Sequence, residues 1–241
     1  MTLVERIERV REQIEAACAR AGRSSSTVTL IAVSKTHPPE LILRAIDAGL
    51  QHFGENRVEE AEAKIPAVAA SAGSSPVWHM IGHVQSRKAK RVIDLFATVH
   101  SVDSVKLASK FSQLAEERGT TLDIFLEMNV SGEASKHGFA AAGWETDVQV
   151  REALWKQVSE VLALPCLNVR GLMTMAPIVA DPEEARPVFA SLAGLRAALS
   201  EMSGAALPDL SMGMTDDFPV AIEEGATLIR VGRAIFGERE T

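Results

Sequence analysis

The 241-residue sequence predicts an α/β fold, a single (β/α)8 TIM barrel with one extra helix at its amino terminus, and three observations carry that expectation. Strand-like and helix-like patterns alternate along the chain, which implies a parallel sheet joined by right-handed crossovers. The length suits one eight-unit barrel. Polar residues able to do chemistry recur at the carboxyl ends of many strands, and no Gly-x-Gly-x-x-Gly turn follows the first one. A closed barrel is therefore favoured over an open doubly wound sheet with one switch point.

The chain opens with Leu3, Ile7, Val10, Ile14, Ala17 and Ala21 at helical spacing, an amphipathic helix that stops near Gly22. The first strand is the apolar run 29–34. Further strands are expected at 51–54, 77–81, 96–101, 122–129, 169–173, 209–212 and 227–231, eight in all. Helical periodicity fills the gaps at 39–48, 57–70, 87–95, 104–118, 144–162, 182–202 and 216–224. Residues 71–76 read as an ordinary helix-to-strand connection, and nothing reads as a linker, so residues 1–241 are expected to form one domain.

Composition narrows the function classes. With 46% hydrophobic and 24% charged residues, the chain is an ordinary globular protein. A net charge of −7 argues against a nucleic-acid surface, and the run Arg87-Lys88-Ala89-Lys90-Arg91 reads as a solvated helix face. Cys18 and Cys166 show no metal-ligand spacing, so no zinc site is expected. No apolar stretch approaches the ~18 residues of a membrane span, and the amino terminus is charged too early for a secretory signal. A cytoplasmic monomer is the expectation.

Lys35 leaves the first strand just before Pro38. Burial disfavours the charged form of a lysine amine and can make it a Schiff-base nucleophile, whereas the plain alternative is a strand-end lysine that snorkels to water. In a closed barrel the last strand pairs with the first, so the ends of strands seven, eight and one become neighbours. Strand seven runs into Ser211-Met212-Gly213-Met214-Thr215 and strand eight into Arg230-Val231-Gly232-Arg233. Barrels often bind phosphate with these two loops. Gly213 and Gly232 permit close approach, Ser211 and Thr215 offer hydroxyls, and Met212, Met214, Gly232 and Arg233 offer N–H groups. Arg230 interrupts an apolar strand, so it either pairs with a carboxylate such as Glu127 or faces a ligand. Amine, guanidinium and phosphate donors together suggest an aldehyde-bearing phosphate ester, with pyridoxal 5′-phosphate the foremost candidate. Asp216-Asp217 suits the start of a helix and requires no metal.

The motifs Ala32-Val33-Ser34-Lys35-Thr36, Phe53-Gly54-Glu55-Asn56-Arg57-Val58, Trp78-His79-Met80-Ile81-Gly82, Gln85-Ser86-x-Lys88, Ser131-Gly132-Glu133-Ala134-Ser135-Lys136-x-Gly138, Arg170-Gly171-Leu172-Met173, Leu210-Ser211-Met212-Gly213-Met214 and Ile229-Arg230-Val231-Gly232 follow in order along the chain. In these the sequence resembles the pyridoxal phosphate homeostasis proteins, whose barrel is like the amino-terminal domain of alanine racemase. The resemblance implies that Lys35 carries the cofactor as an internal aldimine. It also implies that Ser211 and the Gly232–Arg233 amides hold the phosphate, that Arg230 faces the pyridine nitrogen and that Asn56 lies beside the ring. Three positions depart from the family pattern: His83 stands where proline is commoner, Arg87 where asparagine is, and Thr215 where serine is. His83 is either a ring contact or a solvent-facing residue, and Lys136 either a second amine near the site or a surface lysine.

Racemisation needs a base on each face of the substrate carbon. In the alanine racemase relatives the second base is a tyrosine from another domain, and this sequence contains no tyrosine. The resemblance thus implies a carrier that stores pyridoxal phosphate and delivers it to apo-enzymes, with no substantial turnover. The alternatives are a pyridoxal phosphate-dependent amino-acid racemase and a cofactor-free Schiff-base lyase acting on a phosphorylated substrate.

Overall fold

The computed structural model describes residues 1–73 and 75–238. Ser74, within the expected 71–76 connection, and the last three residues of the expected domain lie outside that range. Helix α1 (Leu3–Arg20) is closed at its start by a reciprocal capping box between Thr2 and Glu5 and buries Leu3, Ile7, Val10, Ile14, Ala17 and Cys18. The strands are β1 (Thr29–Val33), β2 (His52–Glu55), β3 (Val77–Met80), β4 (Thr98–Val102), β5 (Leu122–Asn129), β6 (Phe139–Ala140), β7 (Leu167–Met173), β8 (Asp209–Ser211) and β9 (Leu228–Val231). Between and after them lie α2 (Pro39–Asp47), α3 (Val58–Ser71), α4 (Ala89–Leu95), α5 (Val105–Glu117), α6 (Val148–Leu162), α7 (Arg186–Ser203), α8 (Phe218–Glu223) and α9 (Arg233–Phe236).

All strand pairings are parallel, in the order β4-β3-β2-β1-β9-β8-β7-β5, and a β4–β5 pairing closes the ring. The expected eight-stranded barrel is present. Short β6 is an addition to it, pairing Phe139 with Met128 at the carboxyl end of β5. Two residues cannot show a period, so the sequence pattern passed over it. The same holds for the four-residue α9. The helix expected from residue 144 begins instead at Val148, because the Asp147 carboxylate caps the N–H groups of Gln149 and Val150.

Strand alternation divides the core in two. Outward-facing residues such as Ala32, Phe53, Ile124, Leu126 and Ile229 join the helices in the large core. Ile31, Phe125, Met173 and Leu228 form a small apolar plug inside the barrel. Much of the remaining interior is polar, which is unusual for a space commonly filled by branched aliphatic side chains. No described helix is long and apolar enough to cross a membrane.

Candidate cofactor-binding site

The register brings the expected groups to one side of the barrel mouth. Ile31 lies opposite Arg230 and Ala32 opposite Val231 across β1 and β9, while Ser211 lies opposite Leu228 across β8 and β9. Lys35 sits half-buried in the turn two residues beyond β1. The next residue, Thr36, has φ of 68°, a left-handed conformation that is costly for a β-branched residue. Its N–H donates to Glu60 Oε1 at 2.5 Å. Buried Lys64 of α3 donates to that same oxygen at 2.5 Å, to Ser34 O at 2.8 Å and to Glu55 Oε1 at 2.8 Å. Lys64 therefore grips the chain on both sides of Lys35. Ser34 Oγ completes this outer network by donating to Glu55 Oε1 at 2.7 Å.

Arg230 projects into the barrel and is 5% exposed. It does not meet Glu127 directly. Its guanidinium donates to Ser211 Oγ at 2.6 Å and to Thr174 O at 2.8 Å. Burial brings its pKa down to about 10, against the support of Asp217 and Glu127, so it stays charged at neutral pH. Ser211 is fully buried and also contacts His100 Nδ1 at 2.8 Å. From there His100 Nε2 meets His79 Nδ1 at 3.0 Å, and His79 Nε2 meets His52 Nδ1 at 3.0 Å. A chain of three imidazoles thus crosses the interior from β4 through β3 to β2.

Arginine only donates hydrogen bonds, so Ser211 Oγ accepts from Arg230, and giving its own hydrogen to His100 Nδ1 uses both contacts of the hydroxyl. Passing that polarity along the chain makes His100 and His79 donors at Nε2. Burial, then the neighbouring imidazole, holds the His79 pKa down at about 3; burial also lowers His100 well below the ordinary histidine range, with His79 and Arg230 adding to it. Sequence reasoning missed this chain as a unit. The signal was available: His52, His79 and His100 stand on three successive short strands, each at an inward position.

The two rim loops contain fewer open donors than expected. The Met212 N–H is used by Leu228 O at 3.1 Å and the Met214 N–H by Asp217 Oδ1 at 2.6 Å. The Ser211 hydroxyl lies beneath Arg230 rather than on the rim. Gly213 turns the chain at φ +92°, where a Cβ would come within 2.6 Å of the Ala221 Cβ. Gly232 caps α9, whose first N–H groups have no acceptor within the helix. Arg233 pairs its guanidinium with Asp216, leaving its backbone as the relevant donor. Thr215 is half-buried at the same rim.

Asn56 follows β2 and is fixed by close passage of Gly82, at which a Cβ would lie 2.2 Å from Asn56 O. Glu127, facing inward two residues beyond Phe125, is 4% exposed, and burial followed by repulsion from Asp103 raises its pKa to about 7. Lys136 is committed to loop structure, with Nζ donating to Met175 O at 2.9 Å and paired with Glu133. His83 is exposed and pairs with Asp103.

Fold and site define a barrel of the kind that holds a small phosphorylated ligand at the carboxyl ends of its first and last strands. A profile described as alanine racemase, N-terminal domain, matches residues 6–240. The chain is 40% identical over 240 residues to a protein of Aquifex aeolicus named pyridoxal phosphate homeostasis protein, covering all of both chains. It is 36% identical to the Escherichia coli protein of that name, covering 99% of this chain and 97% of the other. PipY of Synechococcus elongatus, solved with pyridoxal phosphate bound, superposes with a TM-score of 0.83 at 34% identity, over 98% of this chain and 100% of PipY. Clostridium difficile alanine racemase, at 13% identity and a TM-score of 0.69, shares the fold over 57% of its length. The protein belongs to the pyridoxal phosphate homeostasis proteins, within the family of alanine racemase N-terminal domains.

Proposed function

We propose that this protein binds pyridoxal 5′-phosphate through Lys35 and acts in its intracellular homeostasis, storing the cofactor and delivering it to apo-enzymes with little turnover of its own. The observation that carries this reading is the meeting of β1, β8 and β9, which gathers an amine, a buried guanidinium and a helix start at one rim. The donor set fits the group. Lys35 offers the amine, the Gly232–Arg233 backbone and Thr215 offer phosphate donors, Gly213 lets the chain turn against Ala221 and Phe218, and Asn56 follows β2, the neighbour of β1. When bound, pyridoxal phosphate supplies an aldehyde that links reversibly to a primary amine. Arg230 presents only hydrogen-bond donors to a ring nitrogen, and Ser211 with Thr174 O holds it in place.

Low turnover is supported by the absence of tyrosine from the sequence and by relatives named for homeostasis rather than for a reaction. We read residues 1–241 as one domain, monomeric and cytoplasmic, in keeping with two unpaired cysteines. The purified protein is expected to show a visible absorption band and a mass increment of one pyridoxal phosphate after borohydride reduction. Lys35→Ala should lose both. Equal colour in the variant, with the adduct on another lysine, removes Lys35 from the role. An adduct-free native protein favours the lyase alternative, and rapid interconversion of L- and D-alanine the racemase.

A further inference from the structure

We propose that His83, Asp103 and His137 form a binding site for a divalent transition metal of the zinc class on the barrel rim. His83 follows β3, Asp103 follows β4, and His137 lies in the loop between β5 and β6, so three successive strands present one ligand each. One donor atom from each residue lies within 4.8 Å of the other two. His83 Nδ1 is 3.0 Å from Asp103 Oδ2, and the two imidazoles stack with centroids 4.0 Å apart. Tetrahedral bonds of about 2.0–2.1 Å place ligand atoms roughly 3.3–3.5 Å apart, so the group needs only side-chain rotation to close on an ion.

The supports of these ligands are already in place. Ser104 Oγ donates to Asp103 Oδ1 at 3.0 Å, leaving Oδ2 for an ion. Such an outer hydrogen bond is the usual way a ligating carboxylate is oriented. The His137 loop is anchored by Lys136 on Met175 O, by Asn129 Nδ2 on Glu133 O at 2.9 Å, and by the Gly132 N–H on Asn129 Oδ1 at 2.9 Å. Gly82, pressed against Asn56, fixes where His83 leaves its strand.

Donor chemistry selects the ion. Two imidazoles and one carboxylate suit Zn2+, Co2+, Ni2+ or Cu2+, whereas Mg2+ and Ca2+ prefer oxygen throughout. Three protein ligands leave a coordination position open to an exogenous group at the barrel mouth. The cysteines take no part, which is why their spacing gave no sign of this site. His83, a departure from the commoner family residue, acquires a role here that the cofactor does not give it. The proposal does not depend on pyridoxal phosphate binding.

The test is titration of tag-free, chelator-treated full-length protein with Co2+, followed by visible absorption, and with Zn2+ in a calorimeter. One equivalent should bind, Zn2+ should displace Co2+, and excess Mg2+ should not. His83→Ala and His137→Ala should each weaken Zn2+ binding at least about tenfold while the circular dichroism spectrum is retained. Loss of the ring stacking alone would not weaken metal binding, so His83→Phe should fail as His83→Ala does. No binding by the unmodified protein at about 100 μM Zn2+, or binding unchanged in both alanine variants, overturns the site.

Discussion

Two buried polar networks lie on either side of the barrel wall, and they handle charge in opposite ways. Outside, Lys64 is set between Glu55 and Glu60, one cation shared by two carboxyl groups within hydrogen-bond length. Inside, Arg230 has neutral partners at hand, Ser211 and a carbonyl, with a row of imidazoles behind Ser211 that burial keeps uncharged. The outer network spends its charge on shape, holding the turn that carries Lys35. The inner one leaves a cation and its donors available to the barrel mouth. A cation held by neutral groups is thus kept apart from one held by carboxylates.

The largest effect expected from this contrast belongs to the outer network. Lys64→Ala removes the cation from Glu55, which is 0% exposed and already has Oε2 without a partner. Breaking a buried pair from one side costs about 3–5 kcal/mol, because the remaining charge is stranded. Urea denaturation at pH 7 should show a loss of that size. Burial raises the Glu55 pKa. A loss under about 1 kcal/mol would therefore mean that the Glu55 carboxyl is protonated and that Lys64 pairs as an ion with Glu60 alone.

The inner network should reveal itself in acid. His79 and His100 have native pKa values far below the unfolded value, so below about pH 6.5 the unfolded chain takes up protons that the native barrel refuses. Their contribution is complete above that pH and declines as pH falls toward the native values, by about 1.4 kcal/mol per pH unit for each sealed imidazole. At pH 5 that amounts to roughly 2 kcal/mol for His79, whose native value is about 3, and His100 acts in the same direction. His79→Gln and His100→Gln should flatten the pH dependence of stability measured by urea midpoints. A curve as steep in the variants as in the parent would assign the acid sensitivity elsewhere.

These networks also mark how far the sequence could be read. The barrel was legible because βα periodicity repeats over the whole chain, and once closure is assumed the proximity of Lys35 to Arg230 follows from topology alone. Lys64 was invisible, since a lysine in a helix reads as solvated and its burial depends on the crossing of α3 over the ends of β1 and β2. A serine beside a glycine turn carries no mark in the sequence of the side on which its hydroxyl points. The contacts of Ser211 with Arg230 and His100 depend on alternation along β8 and on the inward arginine of β9. The His83, Asp103 and His137 cluster joins three loops whose conformations no periodic pattern encodes.

A further effect is expected from Glu127, and it tests whether the inner cavity is poised for positive charge as well as for anions. Its carboxyl has a native pKa of about 7 against 4.5 when exposed, with burial the larger cause and Asp103 the lesser. The native state therefore holds a proton that the unfolded chain releases, and the stability penalty grows as pH rises from about 4.5 to 7, then levels off. Glu127→Gln keeps the shape of the protonated acid, so it should match the parent near pH 4.5 and exceed it by about 1–3 kcal/mol at pH 8. Adding pyridoxal phosphate sharpens the comparison. If a cationic group of the bound state lies near Glu127, the ionised carboxylate gains a partner and the advantage of the glutamine variant at pH 8 shrinks. An advantage equally large with and without the ligand would confine Glu127 to the wall of the barrel, outside the reach of the bound cofactor.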